Sequence, residues 1–249
     1  MSILEKNFPS KVLHVQSQIE NTRLDFQKVT PLVEKGKFKA ITSHLVSRPP
    51  FDSELNPLVI TLLRNPSERL ISAYEFQRDN QFLKEGDVNF QAFLTRRRFS
   101  VISNYQTRLL SPQSWNFEGT RIGWELNPRA IDLTDENLFV GTVEMFDQSM
   151  VLLEQWLKDK GVEFDASYSV ARNTALERGS TKPEFSAGAI FPDMIEIDEH
   201  LWLEVTQRIE SKISLNSDFN DKMIDFARRR EAFARLKIPQ KSPQEIIRL

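Results

Sequence analysis

Residues Leu58 to Arg78 read LVITLLRNPSERLISAYEFQR, and the fold turns on how this stretch is read. Val59, Ile60, Leu62 and Leu63 make a short apolar run, bounded by Pro57 on one side and Asn65-Pro66 on the other. Such a run predicts a strand buried on both faces, as in a parallel sheet. A helix start follows at once. Asn65 is a good N-cap, Pro66 suits the first helical position, and Glu68 stands where a capping box would let it reach back. The helix is expected to bury Leu70, Ile71, Ala73 and Tyr74. A strand running straight into a helix N-terminus leaves backbone N–H groups facing its C-terminal edge, where open α/β sheets bind anions. Arg64 adds a permanent positive charge at that edge, and Ser72 offers a hydroxyl two turns further on. The same features also describe an ordinary β-to-α connection with Arg64 in an ion pair.

The composition bounds what this turn can belong to. A chain of 249 residues is long enough for one large domain with a substantial core. A net charge of −2 gives no global bias toward nucleic acid, though it leaves room for a local basic cleft. The absence of cysteine excludes disulfides and thiolate metal sites and fits a reducing compartment. No apolar run approaches the ~20 residues that span a bilayer, and the N-terminus lacks a signal-peptide pattern. The expectation is a cytoplasmic protein with no membrane span and no nucleic-acid partner.

The pattern L-R-N-P-x-x-R-x-x-S-x-Y, from Leu63 to Tyr74, is more specific than its parts. It resembles the 3′-phosphate-binding signature of sulfotransferases that use 3′-phosphoadenosine 5′-phosphosulfate (PAPS). In that family the first Arg and the Ser hold the 3′-phosphate of the nucleotide. By position these are Arg64 and Ser72, while Arg69 and Tyr74 match the remaining places. The family usually has Asp after the first Arg; this chain has Asn65, which caps a helix equally well.

One part of the family pattern is missing. A phosphate loop of the type K-[TS]-x-[GT]-T normally lies between the first strand and first helix, where it cradles the 5′-phosphosulfate and supplies a charge-stabilising Lys. No such loop occurs in the sequence, whose first glycine is Gly36. Ser2 to Phe8 reads as the short helix that would follow the loop. The expectation is therefore a chain that begins just downstream of it, through truncation or a misassigned start, or a form that has lost catalysis.

Further along, Lys11–Gln16 and Phe38–Thr42 read as strands, with a helix around Asn21–Leu32 between them. Ala40 to Phe51 resembles the family's G-H-x-x-F segment. The resemblance makes His44 the general base that takes the acceptor's proton, work suited to an imidazole. Asp87 is a candidate cap for a helix through Phe90, Phe93 and Leu94, ending in Arg96-Arg97-Arg98. Asn104 to Leu110, NYQTRLL, resembles a segment lining the acceptor side of the cleft in bacterial members, which marks Gln106 and Arg108 as substrate contacts.

Leu138 to Phe146 reads as a strand and turn and resembles the family's V-G-x-x-E-x-F segment. Within it Glu144 is read as an ion-pair partner or helix cap, or as an orienting group. Asp147 to Lys160 is an amphipathic helix with Phe146, Met150, Leu153 and Leu157 at helical spacing and Gly161 as its stop. Ala171 to Gly179 carries Arg172 and Arg178, which the resemblance makes nucleotide contacts. A helical C-terminal portion covers about residues 195–238. In it Arg228-Arg229-Arg230 is read as a solvated face and residues 239–249 as a mobile tail.

The resemblance implies one domain over residues 1–249 with an α/β fold: a central parallel sheet flanked by helices, similar to P-loop nucleoside kinases, without its first strand and phosphate loop. It implies transfer of a sulfuryl group from PAPS, as co-substrate and with no metal, to a hydroxyl acceptor, expected to be a carbohydrate. The alternative is a non-catalytic adenosine-phosphate-binding or interaction protein built on a degenerate form of that fold. A P-loop kinase relative is disfavoured by the absent Walker sequence.

Overall fold

A computed structural model describes residues 3–16, 31, 34–42, 57–79, 89–97, 103–110, 131–168, 192–235 and 246–248. The elements in chain order are α1 (Ile3–Asn7), β1 (Val12–Gln16), β2 (Ala40–Thr42), β3 (Val59–Leu63), α2 (Pro66–Asp79), α3 (Phe90–Arg97), α4 (Tyr105–Leu110), β4 (Leu138–Thr142), α5 (Phe146–Asp159), α6 (Glu196–Ser214), α7 (Phe219–Arg235) and β5 (Ile246–Arg248). The predicted helix at Asn21–Leu32 lies outside the described residues but for residue 31, and the whole of Ala171–Gly179 lies outside them.

The class is mixed α/β with parallel strands throughout. Among the described residues the strands form two sheets rather than one central sheet, in the orders β2-β1-β5 and β3-β4. β3 and β4 run in register from Val59 opposite Leu138 to Leu63 opposite Thr142. The stretch between them carries α2, α3 and α4, the crossover that parallel strands require. The C-terminal tail, read from sequence as mobile, contributes β5, whose His14↔Ile246 to Gln16↔Arg248 register makes β1 the middle strand of its sheet.

The larger core packs β3 and β4 against α5, α6 and α7. Leu63, Phe139, Met150, Leu153, Leu157, Leu201, Val205 and Phe226 are all buried in it. The α5 stripe at Met150, Leu153 and Leu157 follows from helical spacing, and Gly161 ends that helix region at φ +74°, a conformation a side chain would strain. Gly141 serves a different need. A Cβ there would stand 2.7 Å from the Leu62 side chain and 2.8 Å from Ser149 Cβ, so β4 meets α5 only because none exists. Ser149 Oγ then accepts from the Thr142 N–H at 3.0 Å.

A smaller core gathers Leu70 and Tyr74 of α2, Phe90, Phe93 and Leu94 of α3, and Met194 and Ile195. The Tyr74 ring lies 5.4 Å from both Phe90 and Phe93, within the range where aromatic pairs attract.

Several local expectations need correction. β3 is not buried on both faces: Ile60 stays 40% exposed, and β4 is the only strand paired with β3 among the described residues. Helix α3 is capped by Asn89, whose Oδ1 accepts from Ala92 N–H at 2.8 Å; Asp87 lies outside the described residues. The Arg228–Arg230 run is not a uniform solvated face. Arg228 is largely exposed, but Arg229 bonds Glu154, Asp165 and Asp225. Arg230 pairs with Asp147 and stacks on Tyr168 at 4.1 Å. Two of the three arginines thus tie α7 to α5 and to the segment after it. The hydrogen bonds that Arg229 donates to Glu154 and Asp225 hold its guanidinium above its ordinary value despite burial.

Candidate functional site

The junction between β3 and α2 is built as the sequence reading expects at its centre. Asn65 caps α2, with its Oδ1 accepting from Glu68 N–H at 3.2 Å, and Pro66 fills the first helical position. Arg64 is the residue between the strand and the cap. Its side chain is 36% exposed and its Nη2 lies 3.6 Å from Glu68 Oε2.

The backbone groups at this edge are less open to an anion than the sequence suggests. Arg64 N–H donates to Gln106 Oε1 at 2.7 Å, and Gln106 Nε2 donates back to the Arg64 carbonyl at 2.8 Å. Asn65 N–H donates to Glu144 Oε1 at 2.7 Å, while Trp202 Nε1 holds the other oxygen of that carboxylate at 3.0 Å. The capping-box partner of Asn65 N–H is thus Glu144 from the turn after β4, not Glu68. A carboxylate at a helix N-terminus is favoured by the helix dipole, so this corner is already partly neutralised. What remains for an incoming phosphate at Arg64 is the guanidinium itself, provided Glu68 releases it.

Behind the junction lies a buried polar layer. Asp198, 1% exposed in the first turn of α6, accepts from Thr107 N–H at 2.8 Å, Thr107 Oγ1 at 2.7 Å and Gln106 N–H at 3.2 Å. It therefore caps α4 from outside. Asn104, at φ +44°, returns the service: its Oδ1 accepts from the N–H groups of Ile197 and Asp198, each at 3.2 Å. Burial pulls the Arg69 and Arg108 guanidinium groups below their ordinary value, and the Asp198 charge opposes that pull in both. The Arg69 guanidinium also stacks over Tyr105 at 5.1 Å, and burial pushes the Tyr105 hydroxyl up.

Of the residues singled out from sequence, the structure brings Arg64 and Gln106 into direct contact and sets Arg108 on the same short helix as Gln106. Ser72 is half-buried on α2, two turns past its start. His44, Arg172 and Arg178 lie outside the described residues. Sequence reasoning missed Asn104 as a cap: its place directly before α4 signals a cap for that helix, whereas its side chain caps the distant α6. It could not see that Asp198, 94 residues away, completes the same corner.

Two hollows, of about 750 Å³ between α5 and α7 and about 640 Å³ between β4, α5 and α6, lie elsewhere; neither is lined by Arg64, Ser72, Gln106 or Arg108. Among the described residues, no helix is long and apolar enough to cross a membrane, and no group of three or more His, Asp and Glu residues could hold a metal ion.

No protein-family model, no curated protein and no solved structure matches this chain. What the molecule does must be argued from the corner just described.

Proposed function

We propose that the β3–α2 junction binds the 3′-phosphate of a 3′-phosphoadenosine nucleotide, and that the chain is sulfotransferase-like, with PAPS as donor and a hydroxyl, expected to be on a carbohydrate, as acceptor. The observation that supports this most is the setting of Arg64. It is a half-exposed guanidinium at the C-terminal end of a parallel strand, one residue before a capped helix, inside a stretch that resembles the sulfotransferase signature. A permanent charge on a fixed main chain suits a phosphate dianion, because charge-assisted hydrogen bonds are the strong ones. Ser72 is proposed to donate its hydroxyl to the same phosphate, and Arg172 and Arg178 to add nucleotide contacts.

In the proposed reaction the acceptor oxygen attacks sulfur in line, the bond from sulfur to the bridging phosphate oxygen breaks, and 3′-phosphoadenosine 5′-phosphate leaves. His44 would take the acceptor's proton. Arg108 is proposed for the acceptor side; the Gln106 amide is already engaged by Arg64. The K-[TS]-x-[GT]-T loop that would hold the 5′-phosphosulfate does not occur in these 249 residues. The second reading is nucleotide binding without transfer, with the Arg64 corner holding an adenosine phosphate.

Calorimetry with 3′-phosphoadenosine 5′-phosphate tests the binding claim. Arg64→Ala is expected to weaken affinity about 10- to 100-fold, the value of a charge-assisted hydrogen bond. No binding by the unaltered chain, or binding indifferent to Arg64→Ala, would sink the reading. Transfer of labelled sulfate from PAPS to hydroxyl acceptors then separates a sulfotransferase from a binding protein.

A further inference from the structure

Gln106 is buried, and both polar ends of its side chain engage the main chain of one residue, Arg64. The β3–β4 ladder has already ended: its last paired residues are Leu63 and Thr142, and Val143 N–H bonds the Leu63 carbonyl at 2.7 Å. Successive residues of an extended chain turn their N–H and C=O groups to opposite flanks. Arg64 therefore directs its pair away from β4, toward a flank where β3 has no strand neighbour among the described residues. A primary amide offers one donor and one acceptor at the spacing a strand would present, so Gln106 acts as a one-residue strand. It is itself held, because its own N–H and that of Thr107 are bonded by the Asp198 carboxylate.

We infer that Gln106 is a positioning residue for anion binding. By fixing the backbone dihedrals of Arg64 it sets the direction in which the guanidinium leaves the strand end, and so the affinity for the 3′-phosphate. The inference rests on the nucleotide reading above. It assigns Gln106 a role through Arg64 in place of contact with the acceptor.

The test is a double-mutant cycle read by calorimetry with 3′-phosphoadenosine 5′-phosphate. Gln106→Ala is expected to weaken binding about tenfold, the cost of refixing one residue's backbone on binding. In an Arg64→Ala background the same change is expected to cost less than about twofold, since residues acting through one another do not add. Equal losses in both backgrounds, or none in either, overturn the inference while leaving the nucleotide reading intact. Failure of the unaltered chain to bind overturns both. Gln106→Asn, which keeps donor and acceptor on a stem one methylene shorter, serves as the milder variant, with thermal midpoints measured alongside. If both variants lower the midpoint but their folded fraction binds normally, Gln106 is structural only and the inference fails.

Discussion

Asn104 and Asp198 cap each other's helices across 94 residues of sequence. The Asn104 side chain accepts the first N–H groups of α6, and the Asp198 carboxylate accepts those of α4. Each thereby answers donors that a helix start leaves unpaired. The two contributions differ in kind, because Asp198 also faces the buried charges of Arg69 and Arg108.

Their removal should therefore differ in cost. Asp198→Ala removes the acceptor of the Gln106 and Thr107 N–H groups and of the Thr107 hydroxyl, together with a charge that favours the buried Arg69 and Arg108 guanidinium groups, and is expected to destabilise by about 3–5 kcal/mol. Asn104→Ala loses a cap and places Ala at positive φ, for about 1–2 kcal/mol. Urea denaturation of both variants checks the ranking; an Asp198→Ala loss no larger than that of Asn104→Ala would show that Asp198 does not offset those charges.

Glu68→Gln should strengthen anion binding. Glu68 Oε2 lies 3.6 Å from Arg64 Nη2, with both side chains more than a third exposed, so an incoming phosphate competes with this carboxylate for the guanidinium. An exposed i,i+4 pair is worth a few tenths of a kcal/mol. Affinity for 3′-phosphoadenosine 5′-phosphate is thus expected to rise about twofold at low salt, with the gain shrinking as salt is added. An unchanged or weaker affinity would mean that Glu68 helps to hold Arg64 in its binding orientation.

The strand–turn–helix around Arg64 was legible because its signals are local: an apolar run, an N-cap, and a proline at the first helical position. The spacing of Met150, Leu153 and Leu157 likewise sufficed to read α5. What could not be read was which distant groups complete the corner. Gln106 and Glu144 are 42 and 79 residues from the backbone groups they bind. Sequence periodicity carries no record of such pairings. The exposure of Ile60 escaped for a related reason, since an apolar run states what a strand prefers, not whether a neighbour covers it. The basic run of α7 misled because its counter-charges, Glu154, Asp165 and Asp147, lie 64 to 83 residues away on other segments.

Gly141→Ala tests the contact between β4 and α5. An added Cβ would fall 2.7 Å from Leu62 Cδ2 and 2.8 Å from Ser149 Cβ, closer than carbon atoms approach without displacement. Overpacking of this kind costs about 1–3 kcal/mol. The denaturation midpoint should fall accordingly. Gly141→Ala combined with Ser149→Ala should recover little, because Ser149 Cβ remains while its bond to Thr142 N–H is lost.

The acid limb of stability should depend on Asp165. Burial works to raise this carboxyl, but hydrogen bonds from Lys6 and Ser167 and the Lys6 charge outweigh it and bring the group to about 2 from an ordinary 3.8. A carboxylate whose value is depressed on folding stabilises fully above its unfolded value. That stabilisation fades as pH falls through the window from about 4 to about 2. The Asp165 side chain is 47% exposed, and solvent screening reduces the contribution to about 1 kcal/mol. Asp165→Asn is expected to be less stable than the parent by about that amount at about pH 5, with the gap shrinking as pH falls toward about 2 and closing only below it, where both carry a neutral side chain. Urea denaturation at intervals across that window reads the difference directly. A gap that persists unchanged at the acid end would mean that Asp165 acts through the shape of the hydrogen bonds its carboxyl accepts from Lys6, Ser167 and Arg229 rather than through its charge.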